Sequence, residues 1–122
     1  MIVVDASAVL EILLRSEMGE RLEAAVSGLT LEAPHLLDIE VAHVLRRWAE
    51  SGKMTPGRAA DALALFLEMP IRRHAHTHLL PEIWKLRHEL TEYDAAYLAL
   101  ARRLDAELLT TDDGLRRRAK RR

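Results

Sequence analysis

Four acidic residues lie at or near the ends of predicted strands and helices, where side chains often meet a ligand. Asp5 follows the apolar stretch IVV, Asp112 lies just after AELLT, Asp94 opens DAAYLALA, and Glu40 interrupts LLDIEVAHVL. If these carboxylates converged, two of them about 4 Å apart would repel each other by about 4 kcal/mol at an effective dielectric of about 20. A hard cation such as Mg²⁺ or Mn²⁺ would relieve this repulsion and could activate a water molecule for hydrolysis.

Each acid also has a purely structural interpretation. Asp5, Asp94 and Asp112 could be helix N-caps, worth about 1 kcal/mol apiece. Glu40 could pair with Arg47 on a helix surface, worth under about 1 kcal/mol. We expect Asp5 and Asp112 at one sheet edge, because the carboxyl ends of parallel strands meet there. The helix end that carries Asp94 is expected on the opposite side unless the connection folds it back, so spacing alone does not gather the four.

Strands and helices alternate along most of the chain. Short apolar and β-branched runs predict strands at 2–4, 30–34, 70–74 and 106–110. A helical period predicts helices at 6–15, 19–28, 36–52, 56–69, 79–90, 94–104 and 112–120. Thr55 and Pro56 form an N-cap and N1 pair, and Gly52 is a suitable C-cap. The alternation predicts an α/β domain with a mostly parallel sheet.

Length and composition indicate one ordinary globular domain. The chain has 122 residues, of which 49% are hydrophobic and 30% charged, so we expect a single domain over 1–122. The absence of cysteine excludes disulfides and thiolate metal sites. Asp5 and Glu11 interrupt the apolar N-terminus, which makes it a poor signal peptide. No run approaches the roughly 20 apolar residues of a membrane span, so we expect a cytoplasmic protein.

Four segments in this order resemble the PIN-domain ribonucleases, specifically the VapC-type toxins of type II toxin–antitoxin pairs. MIVVDASAVLEILL resembles the opening strand and helix of that family, and DIEVAHVLRR the segment that holds its glutamate. LLPEIWKLRHELTEYDAAYLALA is the most specific match, and LLTTDDGL resembles the closing T-x-D-x-x-L. The resemblance implies a PIN-like three-layer sandwich, in which helices flank a short, mostly parallel sheet.

The resemblance also implies that the acids form one catalytic pocket at the edge of the sheet. The acidic set of the family falls on Asp5, Glu40, Asp94 and Asp112. Direct metal ligation is expected from Asp5, Asp94 and Asp112. Glu40 is expected to bind a second metal ion or to position the attacking water. Whether one or two ions act stays open at this point.

Two hydroxyl residues match supporting positions of the family. Ser7 and Thr110 are expected to orient the acids or their bound waters. Asp112 is preferred over Asp113 as the last acid, because Leu115 then takes the expected third place after it.

The activity implied is that of a Mg²⁺-dependent endoribonuclease, with Mn²⁺ as a substitute, that hydrolyses RNA with a metal-activated water. The family further implies a toxin that forms a homodimer and is inhibited by a VapB-type antitoxin. The RNA substrate could be transfer, ribosomal or messenger RNA.

Two other classes of protein are open alternatives. A non-catalytic PIN-like RNA-binding module is the first, and the loss of one acid would favour it. An unrelated acidic-pocket protein is the second. An aspartyl-phosphate phosphatase would want an aspartate where Ser7 stands, and a receiver domain would want a late lysine at a strand end, whereas Lys120 lies in the tail.

Basic and aromatic residues suggest further contacts. Candidates for RNA or antitoxin contact are Arg46, Arg47, Arg72, Arg73 and the basic run at 114–122. His43 stands where many relatives carry asparagine, and we expect it to pack on its helix. His74, His76 and His78 would share one side of a strand, where contact with substrate or a partner is favoured over a zinc site. Trp48 and Trp84 are expected to be buried, and Tyr97 to pack in the core.

Overall fold

A single parallel sheet organises residues 1–120, which are the part of the chain that the computed structural model describes. Its strands are β1 (Ile2–Val4), β2 (Leu31–Pro34), β3 (Ile71–His74) and β4 (Glu107–Leu109). The spatial order is β3–β2–β1–β4, and every neighbouring pair is parallel. The predicted α/β class and the predicted strands are therefore confirmed, with ends that differ by at most one residue.

Helices fill the connections between the strands. They are α1 (Ala6–Leu14), α2 (Glu17–Ala25), α3 (Leu36–Glu50), α4 (Pro56–Glu68), α5 (Leu80–Lys85), α6 (Glu92–Leu104) and α7 (Asp113–Lys120), and a 3₁₀ turn (Thr77–Leu79) precedes α5. Helix α2 starts earlier than predicted, because the Ser16 hydroxyl accepts a hydrogen bond from the Gly19 N–H and caps the helix. Gly19 is needed there, since a Cβ would lie 2.0 Å from the Glu11 carbonyl oxygen.

The predicted helix at 79–90 is too long. Its hydrogen bonds tighten after Lys85, where Leu86 bonds to Ile83 and Arg87 bonds to Trp84 in i→i−3 fashion. The tightened turns bury Leu86 and lead into Thr91, where α6 begins. Trp84 is 67% exposed and has the Arg87 guanidinium over its ring, so its predicted burial is wrong.

Helix α6 is the central helix of the molecule. Every residue from Ala95 to Ala101 is buried, and the helix packs against β1, β2 and β4. Such an all-round apolar surface is typical of a helix inside a core. The small side chains of its alanines let α6 lie close to the sheet. Val3 and Val4 of the inner strand β1 are fully buried.

The direction of α6 decides where Asp94 lies. The helix ends at Leu104, Asp105 adopts a left-handed conformation, and β4 begins at Glu107. Because so short a link joins the end of α6 to the amino end of β4, the first turn of α6 must lie at the carboxyl edge of the sheet. The sequence left open on which side Asp94 lies, and the structure places it at the carboxyl edge, because the crossover helix runs antiparallel to the strands.

Among residues 1–120, no helix is both long and apolar enough to cross a membrane.

Candidate active site

Asp5 occupies the link between β1 and α1. Its backbone is extended, and its Oδ1 accepts a hydrogen bond from the Ala8 N–H at 3.0 Å, so it caps α1 as predicted. The Ser7 hydroxyl donates to the same oxygen at 2.6 Å, and the Thr110 hydroxyl donates to Oδ2 at 2.5 Å. Asp5 is only 6% exposed. Its carboxylate is thus buried, with both oxygens satisfied by the protein.

The end of β4 meets Asp5 through the same hydroxyl groups. The Thr110 hydroxyl accepts from the Asp112 N–H at 3.0 Å, and the Ser7 hydroxyl accepts from the Thr111 N–H at 3.1 Å. Asp112 Oδ1 accepts from the Leu115 N–H at 2.8 Å, which makes Asp112 an N-cap of α7. Ser7 and Thr110 therefore join the ends of two neighbouring strands around one carboxylate.

Asp94 does not cap its helix. The cap of α6 is Thr91, whose hydroxyl accepts from the Asp94 N–H at 3.2 Å. Asp94 is therefore the third residue of α6, in its first turn. The sequence could have shown this, because T-x-x-D before an apolar run is a capping pattern. Burial raises the pKa of Asp94, and the nearby charges of Asp112 and Asp5 raise it further.

Glu40 lies on α3 and faces α6. Its Oε1 accepts a hydrogen bond from the Tyr97 hydroxyl at 2.5 Å, so its partner is Tyr97 and not Arg47. Burial raises the pKa of Glu40, with smaller contributions from Asp94 and Asp5. The Tyr97 hydrogen bond and His43 act in the opposite direction.

Tyr97 is a site residue that the sequence interpretation missed. It packs in the core as predicted, with 1% of its surface exposed, but its hydroxyl also holds Glu40. Burial and the Glu40 contact raise the pKa of Tyr97, so it stays a hydrogen-bond donor at neutral pH. Its place three residues after Asp94 on the same helix was the available signal.

All four acids belong to one electrostatic cluster. The charges of Asp5 and Asp94 act on Glu40, and those of Asp5 and Asp112 act on Asp94. Two pockets that share no lining residue adjoin this cluster. One holds about 360 Å³ and is lined by Asp94, Asp112 and two arginines, and the other holds about 440 Å³ and includes Glu40.

The donor set suits a hydrated magnesium or manganese ion. It consists of carboxylate oxygens, which hard cations prefer, and a cation would offset the burial and the repulsion that together raise the pKa of Asp94 and Glu40. Within residues 1–120, no three histidine or acidic side chains stand close enough together to ligate one ion directly. Mg²⁺ usually keeps several waters and contacts one or two carboxylates, which is compatible with this spacing.

The predicted basic contacts have different surroundings. Arg73 is held internally by Asp38 at 3.0 Å and by the Ile71 carbonyl oxygen at 2.8 Å, which makes it poorly suited to RNA. Arg46 pairs with Glu50 at 2.9 Å on the surface, and Arg72 lies 3.8 Å from Glu32. Arg47 is exposed on α3.

The basic run supplies two arginines that share a pocket with two of the acids. Arg117 and Arg118 of α7 line the pocket that contains Asp94 and Asp112. The last two residues of that run, at 121 and 122, lie outside the described residues.

The histidines are not arranged as predicted. β3 ends at His74, which contacts the buried Glu32 at 2.8 Å, whereas His76 and His78 follow in a turn, so the three do not share a strand face. His43 is exposed and lines the pocket beside Glu40, so the packed position expected for it is wrong.

Comparisons with known proteins agree with this geometry. A family model described as PIN domain matches residues 2–121. Ribonuclease VapC1 of Mycobacterium tuberculosis is 43% identical over 119 residues, which cover 93% of this chain and 86% of the relative. A VapC ribonuclease of Mycobacterium bovis is 39% identical over 112 residues, which cover 92% of this chain and 86% of the relative.

Solved structures share the fold at low sequence identity. PAE2754 of Pyrobaculum aerophilum has a TM-score of 0.72 at 24% identity, covering 93% of this chain and 81% of that one. VapC20 of M. tuberculosis is described as a Sarcin-Ricin loop cleaving toxin. It has a TM-score of 0.71 at 19% identity, covering 93% of this chain and 92% of that one. The fold and the acidic site define a PIN domain, and the chain belongs to that family. Within the family it groups with the VapC ribonucleases.

Proposed function

We propose that the protein is a metal-dependent endoribonuclease, the toxin of a type II toxin–antitoxin pair, that hydrolyses RNA phosphodiester bonds. The carrying observation is the cluster of Asp5, Glu40, Asp94 and Asp112 at the carboxyl edge of the sheet, in a chain 43% identical to a VapC ribonuclease. A non-catalytic RNA-binding module would have no use for four carboxylates that repel one another.

The residues of the site would have different roles in the reaction. Asp5, Asp94 and Asp112 would hold Mg²⁺ or Mn²⁺, in part through waters bound to the ion, with Asp5 fixed in place by Ser7 and Thr110. The bound ion would lower the pKa of a water molecule and neutralise charge on the scissile phosphate. Glu40 would accept a hydrogen bond from the attacking water or hold a second ion, and the Tyr97 hydroxyl fixes its orientation.

RNA would lie across the pocket that α7 forms with Asp94 and Asp112. Arg117 and Arg118 line that pocket, and their planar guanidinium groups suit the phosphates next to the cut. Arg118 also pairs with Glu89 at 2.8 Å, which holds it against the pocket wall. Arg46 and Arg47 are proposed as outer contacts for RNA or antitoxin. Transfer, ribosomal and messenger RNA are the candidate substrates.

The partner proposed for this chain is a VapB-type antitoxin, and the proposed assembly is a homodimer in the cytoplasm. Support for the antitoxin comes from the structure of VapBC2 from Rickettsia felis bound to a promoter DNA fragment. It has a TM-score of 0.68 at 15% identity, covering 96% of this chain and 92% of that one.

Cleavage of total RNA by antitoxin-free protein tests the proposal. We expect discrete fragments in Mg²⁺ or Mn²⁺, none in EDTA, and none from Asp94→Asn. Asp61→Asn is the matched control, because Asp61 is an exposed acid on the distant helix α4. A thermal-shift titration with Mn²⁺ supplies a readout that needs no RNA, since an ion that binds only the folded state raises Tm. A folded protein that neither cleaves RNA nor responds to either metal would overturn the proposal.

A further inference from the structure

An apolar pocket lies directly beside the acid cluster, on the side of Glu40. It holds about 440 Å³, a size typical of small-ligand sites, and lies between α1, α3 and the first turn of α6. Six of the side chains that line it are Leu36, Ile39, Glu40, His43, Val44 and Tyr93. Most of its wall is therefore aliphatic, with an aromatic ring on one side and two polar groups on the other.

Glu40 belongs both to this pocket and to the acid cluster. Its side chain lines the pocket, while the charges of Asp94 and Asp5 act on its carboxylate. Tyr93 is the residue directly before Asp94 on α6. A nucleotide joined to a phosphate at the acids would consequently have this pocket within reach of its base.

The two sides of the acid cluster differ in chemistry. Arg117 and Arg118 line the side that contains Asp112, which suits phosphate groups. The Glu40 side has no arginine or lysine among the described residues that line it, and Ile39 is 71% exposed there. The apolar side therefore suits the part of a nucleotide that carries no charge.

We infer that this pocket holds an unpaired nucleobase of the nucleotide next to the scissile phosphate. Tyr93 is 50% exposed and offers a ring face for stacking, while Leu36 and Val44 add aliphatic surface in the same pocket. His43 is exposed at the pocket, and an imidazole offers one donor and one acceptor to the edge of a base. Stacking on an aromatic ring and hydrogen bonding at the base edge are the usual means of holding single-stranded RNA.

A second copy of this chain is the main competing occupant. An adjoining smaller pocket shares Leu36 and Tyr93 and extends to Leu80, which is 52% exposed. A protein surface would have to bury Glu40 and His43 and leave them without water, whereas a base edge can pair with them. The inference rests on the proposed function, because it is the scissile phosphate that brings the base to this pocket.

Binding of a short single-stranded RNA tests the inference without requiring cleavage. The probe carries a fluorescent adenine analogue whose emission is quenched by stacking, and the titration is done in EDTA. We expect Tyr93→Ala to weaken binding roughly 10- to 100-fold and to abolish the quenching, as is typical for a lost base–aromatic stack. Tyr93→Phe keeps the ring and should keep both the affinity and the quenching. Trp84→Ala is the matched control, because Trp84 is an exposed aromatic that does not line this pocket.

Cleavage kinetics on an RNA with a known cut site give a second test of the inference. Tyr93→Ala should raise KM by a similar factor and change kcat little. Replacing the flanking nucleotide with an abasic one should weaken the wild type and leave Tyr93→Ala unchanged, because the two changes remove the same contact. His43→Asn should change the preference among bases at that position.

Two results would overturn the inference. One is a Tyr93→Ala protein that binds the probe as well as Trp84→Ala does. The other is a loss of binding that follows dissociation of a dimer in light scattering and is restored at high protein concentration, which would assign the pocket to a second copy. If the wild type cleaves no RNA in either metal, the proposed nuclease fails, while the quenching assay still decides whether a base occupies the pocket.

Discussion

The two halves of the acidic site are built in opposite ways. Asp5 and Asp112 follow strands, and each accepts a backbone N–H that starts a helix. Asp94 and Glu40 stand inside helices, and burial with like charges raises the pKa of both. In the first half the carboxylates stabilise the fold as helix caps, whereas in the second half the ionised carboxylates destabilise it.

This difference separates residues that build the site from residues that are held in it for chemistry. A carboxylate that caps a helix stabilises the fold without a cation, while a carboxylate held in repulsion is stabilised when a cation binds. The comparison therefore predicts opposite signs for mutations in the two halves. Both halves should be needed for cleavage. Loss of a capping carboxylate from the first half should destabilise the protein, whereas removal of a charge from the second half should stabilise it.

Asp5→Ala should have the largest effect on stability. It removes the cap of α1 and leaves the buried Thr110 hydroxyl and the Ser7 hydroxyl without their acceptor. We expect a loss of roughly 2–4 kcal/mol in the free energy of unfolding, measured by urea denaturation, together with loss of cleavage. Asp5→Asn keeps one acceptor oxygen and should lose less. An Asp5→Ala protein as stable as the wild type would contradict the claim that the Asp5 carboxylate stabilises the fold.

Tyr97→Phe should have an intermediate effect. It removes the hydrogen bond to Glu40, which normally lowers the pKa of that carboxyl. The pKa of Glu40 should therefore rise further, and the acidic limb of the pH–rate profile should move to higher pH. We expect a loss of about 1 kcal/mol in stability and of roughly tenfold in kcat/KM near neutral pH. An unshifted acidic limb would mean that Glu40 does not act as a carboxylate in the rate-limiting step.

The sequence predicted the fold well because strands and turns are local signals. The IVV run, the Thr55 cap and Pro56 lie where the structure uses them. The error at 79–90 has a tertiary cause, since the apolar period continues to Leu90 while the chain turns to bury Leu86. Trp84 shows the same limit, because helical spacing does not tell which face of a short helix meets the core.

The site was less predictable, because convergence depends on topology. Asp5 and Asp112 could be placed at one edge from strand ends alone, but Asp94 required the direction of α6. The pair formed by Tyr97 and Glu40 joins residues 57 positions apart, and no local pattern predicts such a contact. The arginine contacts were the hardest part of the site to predict. Arg73 lies on the edge strand β3, but it is bonded to Asp38, and the sequence gives no sign of that contact.

Asp94→Asn should change stability in the direction opposite to that predicted for Asp5→Ala. The pKa of Asp94 is raised in the folded state, so its ionised form is destabilised by folding. This destabilisation is complete above the folded pKa and vanishes below the unfolded pKa near about pH 4. We therefore expect the variant to be more stable at pH 8, by under about 1 kcal/mol after solvent screening, with the gain fading as the pH falls.

Glu92→Gln is the matched control for that experiment. Glu92 lies in the same first turn of α6 and is exposed, so it shares the favourable interaction with the helix dipole. Its removal should not stabilise the protein at any pH. If both variants behaved alike in thermal melts, the repulsion within the acid cluster would not be the cause.

The smallest effects on stability are expected for two neighbouring aspartates, Asp112 and Asp113, which should differ in their effect on cleavage. Asparagine caps helices about as well as aspartate does, so Asp112→Asn should keep the bond to the Leu115 N–H and melt like the wild type. It should nevertheless lose cleavage, because it removes a charge that faces Asp94. Asp113→Asn should keep both properties, since Asp113 pairs with Arg116 at the surface, and exposed ion pairs contribute little. A loss of cleavage in Asp113→Asn with full activity in Asp112→Asn would move the fourth acid by one residue and would leave Asp112 as a helix cap alone.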